Sequence, residues 1–122
     1  MKSTIALMIL TPLLAAAQQL QIEPAPKMSA FQASTNLNQE VCLTSQVAQV
    51  SIRDKLVYVN LEEPFPKTPL ACVIFAKNTN QFALQSLEGK RVEITGRVTE
   101  FKGKPQIILT SSNQLKVLEA MK

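Results

Sequence analysis

The sequence predicts a small all-β barrel of five strands with one short helix, in the order β-β-β-α-β-β. Three observations predict it. Apolar residues rich in Val and Ile alternate with period two through most of the segment 40–118, the pattern of half-buried strands. A single interval, Asn78–Glu88, carries helix signals at both ends. Strands left as an open sheet would expose long unpaired edges. Closing them removes that liability, and the helix can plug one open end.

The first strand runs from Glu40 to Ile52, with Val41, Leu43, Ser45 and Val47 on one parity and Cys42, Thr44 and Gln46 on the other. Arg53-Asp54-Lys55 makes a polar turn into the second strand, Leu56 to Leu61. Pro64, Pro66 and Pro69 make 62–69 a loop, because no central strand tolerates them. Leu70 to Phe75 is an apolar third strand. In the helical interval Asn78 or Asn80 caps the start, Phe82 and Leu87 face the core, and Gly89 marks the stop; Phe75 is also assigned to the core. Arg91 to Phe101 alternates again, with Val92, Ile94, Gly96 and Val98 on one face. Lys102-Gly103 is a tight hairpin turn. Pro105 to Thr110 is the fifth strand, its proline first, where a missing N–H does least harm, and Gln114 to Leu118 continues extended. The stretches 38–50 and 89–101 match in pattern, Val41 with Val92, Leu43 with Ile94, Ser45 with Gly96 and Val47 with Val98. They read as two long strands with the same structural job, each with a small residue at mid-strand where a barrel strand coils. The set, residues 38–119, predicts an oligonucleotide/oligosaccharide-binding (OB) fold.

The residues before it read differently. Lys2, the apolar run Ile5 to Leu14 and the small residues Ala15-Ala16-Ala17 predict a secretory signal peptide over 1–17. The ten-residue run is too short to span roughly 30 Å of hydrocarbon, so no membrane span is expected after cleavage. Residues 18–37, rich in Gln, Ala, Ser and Pro, read as a linker or loosely docked arm, with a short helical turn near Ser29 to Ala33. The expected location is therefore outside the cytoplasm, periplasmic or secreted. There Cys42 and Cys72 could form a disulfide, or persist as two small buried hydrophobes; the Cα separation decides.

Composition narrows the chemistry. The chain has 122 residues, one domain's worth, with no His and two Cys. Without His, the Ser-His and Cys-His pairs and most zinc sites are gone, and two Cys cannot build a structural zinc site. Glu62-Glu63 and Glu93/Glu100 are the carboxylates in plausible register, and none has a companion acid, nucleophile or metal set. No enzyme, cofactor or metal is expected.

The second half, Gly89-Lys90-Arg91-Val92-Glu93-Ile94-Thr95-Gly96-Arg97-Val98 and then Phe101-Lys102-Gly103-Lys104-Pro105-Gln106-Ile107, resembles a bacterial family of exported or nuclease-associated OB domains of nucleic-acid-binding type. The family's pattern runs G-K-x-V-x-V-x-G-x-[VI]-x-x-[FY]-x-G-x-P-x-I. Tyr58-Val59-Asn60-Leu61 is similar to its second strand and Cys72-Val73-Ile74-Phe75 to its third. The chain departs from it at Ser45 and Glu62, where the family commonly has Gly, and at Asn38-Gln39, which replaces its Gly-Lys. The resemblance implies nucleic acid as ligand.

Charge agrees in direction. The segment 89–122 holds seven basic and three acidic residues, against four and five in 38–88. OB barrels present ligands on the second and third strands and on the loops after strands one and four. Those loops carry Arg53, Lys55, Lys102 and Lys104; Tyr58 lies off the inward parity, and Phe101 or Phe65 adds a second platform. The expected nucleic-acid-binding residues are Arg53, Lys55, Tyr58, Asn60, Arg97, Phe101, Lys102 and Lys104, with cations tracking phosphates beside stacking aromatics. The expected partner is single-stranded DNA or RNA, or another polyanion. The alternative is a protein partner or a saccharide, with the basic residues incidental.

Overall fold

Alternation along the chain sets the lining of the barrel. A computed structural model of the chain describes residues 27–118; the expected signal peptide and the start of the arm lie outside the described residues. Strands β1 (Glu40–Ile52), β2 (Leu56–Leu61), β3 (Leu70–Phe75), β4 (Arg91–Phe101), β5 (Lys104–Ile108) and β6 (Leu115–Val117) form one sheet. Five of them ring in the order β1-β2-β3-β5-β4, and a β1–β4 pairing closes the circle. This is the expected OB barrel.

Strand β1 makes closure possible by serving two partners. Its first half pairs antiparallel with β4 from Glu40↔Arg97 to Gln46↔Arg91. A register break between Val47 and Gln49 then turns the strand, and its second half pairs with β2. The parity read from the sequence holds: Val41, Leu43, Ser45, Val47, Val92, Ile94 and Val98 are all buried. Gly96 faces the same interior. A Cβ there would lie 2.7 Å from Ile107 Cγ2 and 3.1 Å from Gln114 Nε2, so close approach requires the glycine. Gln114 itself donates to the Thr95 carbonyl and accepts from Thr110 N, which ties the short β6 onto β4.

Two expectations change. The interval 78–88 is not an α-helix. It forms 3-10 turns over Ala76–Gln81 and Leu84–Ser86, and its apolar contacts come from Phe82, Leu84 and Leu87. Asn78, Thr79 and Asn80 favour turns over helix, and Leu84 and Leu87 repeat at the three-residue spacing that a 3-10 turn brings into line. The α-helix lies instead at α1 (Ala30–Ala33), where the sequence predicts a helical turn. Ser29 caps it in a reciprocal capping box with Gln32, and Ala30 and Ala33 are fully buried. Met28 bridges to Leu43, and its carbonyl accepts from Thr44 N at 3.0 Å. The described part of the arm is therefore docked, not loose, because two alanines three apart offer a face small enough to fit the core. Phe75 is a smaller correction: at the end of β3 it falls on the outer parity and is 39% exposed.

Two of the positions singled out in the sequence, Ser45 and Glu62, are linked. Glu62 sits at φ +70° and Asn38 at φ +67°, so both keep the left-handed backbone that glycine would take. The buried Ser45 hydroxyl donates to Glu62 Oε2 at 2.7 Å, joining the two in one hydrogen bond. Glu62→Gly should therefore destabilise the protein by about 1 kcal/mol, relief of backbone strain being outweighed by loss of the charged acceptor, which leaves the buried hydroxyl only its 3.3 Å contact to the Gln46 carbonyl. In a Ser45→Ala background the same substitution should stabilise by about 1 kcal/mol. Urea unfolding of the four variants reads the inversion; equal signs in both backgrounds would refute the coupling.

The two cysteines are both free. Cys42 lies on the outer parity of β1 opposite Thr95, whereas Cys72 on β3 faces the core between Val59 and Ile107. Of the two alternatives the sequence leaves open, the disulfide is not formed, because the side chains sit on opposite sides of the barrel wall. Burial pushes the Cys72 thiol up to about 12, which keeps it protonated and inert. The Cys42 thiol donates to Glu93 Oε2 at 3.3 Å, and Lys27 Nζ lies 3.2 Å from the same oxygen. The thiol hydrogen bond, then the Lys27 contact, hold the Glu93 carboxyl below the ordinary carboxylate range.

Candidate nucleic-acid interface

The outer face of β2, β3 and β5 carries a cleft of about 560 Å³. Its walls are the 62–69 loop, through Phe65, Pro66 and Thr68, and the β4–β5 hairpin, through Phe101 to Lys104. Lys102 and Gly103 form the turn with φ +52° and +79°, a two-residue turn with both residues left-handed, which matches strand twist and projects the flanking side chains over the face. The floor comes from the outward parity of β2, with Tyr58 and Asn60, and from Ala71 and Gln106. Arg53 and Ser51 line the end nearest the β1–β2 turn, where Arg53 Nε donates to Ser51 Oγ at 3.1 Å.

Two phenyl rings stand in solvent at the rim, Phe65 at 62% and Phe101 at 54% exposure. Each has an ammonium group above it. Lys102 Nζ is 5.3 Å from the Phe101 ring centroid, and Lys104 Nζ is 5.8 Å from that of Phe65. Lys104 springs from the hairpin and Phe65 from the opposite loop, so this contact links the two walls.

Six of the eight residues expected from the sequence line this cleft: Arg53, Tyr58, Asn60, Phe101, Lys102 and Lys104. Lys55 does not; its carbonyl accepts from Ala76 N on the other side of the β1–β2 turn. Arg97 is also elsewhere. It stands opposite Glu40 in the β1–β4 register, and its guanidinium donates to the Asn38 carbonyl. Parity alone put it outside the barrel, but the closed ring has an outside all the way round. Sequence reasoning missed Ala71 and Gln106 because their place depends on the parallel β3–β5 register, which no local pattern encodes.

Asn60 differs from its neighbours in being buried, at 2% exposure. Its Nδ2 donates to Gln49 Oε1 at 2.8 Å, and the same oxygen accepts from Phe65 N at 3.0 Å. This network fastens the proline-rich loop to the sheet. A second cavity, near Gln46, Glu62 and Glu88, offers little free chemistry: Glu62 holds Ser45, and Glu88 Oε2 accepts from Val50 N.

No family model matches the chain, and no curated protein matches it. Solved structures do. The chain is similar to OBody AM1L10 bound to hen egg-white lysozyme, with TM-score 0.60 at 14% identity over 81% of this chain and 99% of that one. It is similar to the S. pombe Stn1-Ten1 complex, with TM-score 0.53 at 14% identity over 66% of this chain and 59% of that one. It also matches the aspartyl tRNA synthetase from Entamoeba histolytica, with TM-score 0.53 at 13% identity over 93% of this chain and 24% of that one. At these identities the likeness defines an OB-fold protein and nothing narrower.

Proposed function

We propose that this chain is an exported, non-enzymatic binding protein that holds single-stranded nucleic acid or a similar polyanion across the β2–β3–β5 cleft. The observation that carries the reading is the meeting of Tyr58, Phe65 and Phe101 with Arg53, Lys102 and Lys104 around one groove. Exposed aromatics stack on bases of any sequence, and adjacent cations follow the phosphates. Export rests on Lys2, Ile5 to Leu14 and Ala15-Ala16-Ala17.

A second reading, capture of a protein partner or a saccharide, draws on the exposed Phe65 and Phe101 and on the OBody likeness, a fold neighbour bound to a protein. Salt separates the two. Three cations on phosphates give a log–log slope near −2 for a single strand, so affinity should fall roughly 15-fold between 50 and 200 mM salt. Fluorescence anisotropy with single-stranded DNA and RNA at both concentrations reads this directly. Absence of binding to either strand at 50 mM would leave the partner-binding reading in its place.

A further inference from the structure

The cleft floor has an order that its rim does not show. Strand register places Gln49 beside Asn60, Asn60 beside Ala71, Ala71 beside Gln106, and Gln106 beside Thr99. This polar row crosses the sheet with one small apolar residue at its centre. Asn60 and Gln106 stand two strand spacings apart, roughly 10 Å, with Ala71 as the low point between them. That width suits one flat heterocycle bounded by hydrogen-bonding groups on both edges.

The polarity of one edge is fixed by the protein. Phe65 N can only donate, so the Gln49 atom that it meets must be oxygen. Gln49 Oε1 can only accept, so Asn60 must present its Nδ2 there. The other arm of the Asn60 amide is therefore Oδ1, and among the described residues no donor reaches it. It is a buried, unpartnered acceptor on a residue that lines the cleft. The Gln106 carboxamide also makes no hydrogen bond among the described residues, and it is free to turn. A buried acceptor without a donor is costly, and a ligand donor restores it.

We propose that the Asn60–Ala71–Gln106 row seats a single nucleobase of the bound strand, and that Asn60 Oδ1 selects bases carrying an exocyclic amino group. The inference rests on the nucleic-acid reading above and narrows it. Adenine and cytosine offer an N–H₂ at the edge where thymine and uracil offer a carbonyl, and a fixed acceptor repels a carbonyl. Thymine and uracil keep a donor only at N3–H, between two carbonyls, so to use it the base must shift in the seat and bring a carbonyl against the acceptor. Arg53, Lys102 and Lys104 around the rim leave the phosphates outside the seat.

The test uses anisotropy titrations of the chain with three probes of about twelve nucleotides: oligo-dC, oligo-dT and an abasic deoxyribose-phosphate strand. Oligo-dC should bind about tenfold tighter than oligo-dT, with the abasic strand weakest. Ala71→Leu fills the low point. It should bring oligo-dC down to the abasic level and leave the abasic affinity within twofold of wild type, which also reports an intact rim. Gln106→Leu, at a half-buried outer position, should weaken oligo-dC several-fold with the abasic strand again unchanged. Equal binding of oligo-dC and oligo-dT overturns the selection. Loss of affinity for all three probes alike, or for none, in both variants overturns the seat. If no probe binds wild type, the nucleic-acid reading fails first and the seat falls with it; if all three bind wild type equally, the polyanion reading stands and the seat alone is lost.

Discussion

Ile94→Ala should lower the stability of the barrel by about 3–4 kcal/mol, one of the two largest effects expected here. Ile94 is fully buried and stands where three strands meet, opposite Leu43 on β1 and Leu115 on β6. Truncating it removes apolar atoms from a closed interior whose walls are hydrogen-bonded all the way round, so the neighbours collapse little and a cavity remains. For a domain of this size the thermal midpoint should fall by roughly 15 °C or more. Leu43→Ala should act similarly, and the double variant should depart from additivity by more than about 0.5 kcal/mol because the two side chains share the seam. Ile52→Ala is the control. Ile52 is 62% exposed at the end of β1, and its truncation should stay within about 0.5 kcal/mol. Thermal and urea unfolding followed by circular dichroism measures all four. A loss at Ile94 no larger than that at Ile52 would mean that the β1–β4 seam does not carry the fold.

The same seam shows why so much of the fold could be read in advance. Period-two alternation is local, and it located β1, β2 and β4 by inspection of side-chain type alone, while a continuous apolar run located β3. The 3-10 segment escaped because Asn78–Glu88 offers helix caps without enough helix-forming residues between them, and capping residues serve turns as well. The docked arm escaped because two alanines carry almost no periodic signal, although Ser29 and Gln32 spell a capping box. Parity gave the candidate site its outward residues, Tyr58 and Asn60, and turn chemistry gave it Lys102 and Lys104. What alternation cannot supply is azimuth around the ring. Arg97 and Tyr58 both point out, yet one faces the β1–β4 seam and the other the cleft. That distinction comes from the parallel pairing of β3 with β5, a contact between residues 35 apart in the chain, and the same pairing brings Ala71 beside Gln106.

Charge reversal at the hairpin, Lys102→Glu with Lys104→Glu, should weaken single-strand binding on the order of 100-fold at 50 mM salt and flatten the salt slope from near −2 toward −1. Both side chains are exposed and both line the cleft, so the substitution replaces two of its three cations with anions. It also removes the ammonium groups above Phe101 and Phe65, worth at exposed sites about 0.5–1 kcal/mol each. The fold should therefore survive, with the thermal midpoint lowered by no more than about 10 °C. Net charge alone could mimic the effect, and Lys77→Glu with Lys90→Glu controls for it. That pair changes the net charge equally, and both residues are exposed away from the cleft, Lys90 donating to the Ser86 carbonyl. The control should weaken binding by less than about threefold, since charges beyond a Debye length of roughly 14 Å at 50 mM salt are largely screened. Local attraction at the cleft predicts a wide gap between the two double variants. Equal losses would assign the affinity to the charge of the whole molecule, and the hairpin would have no part in holding the strand.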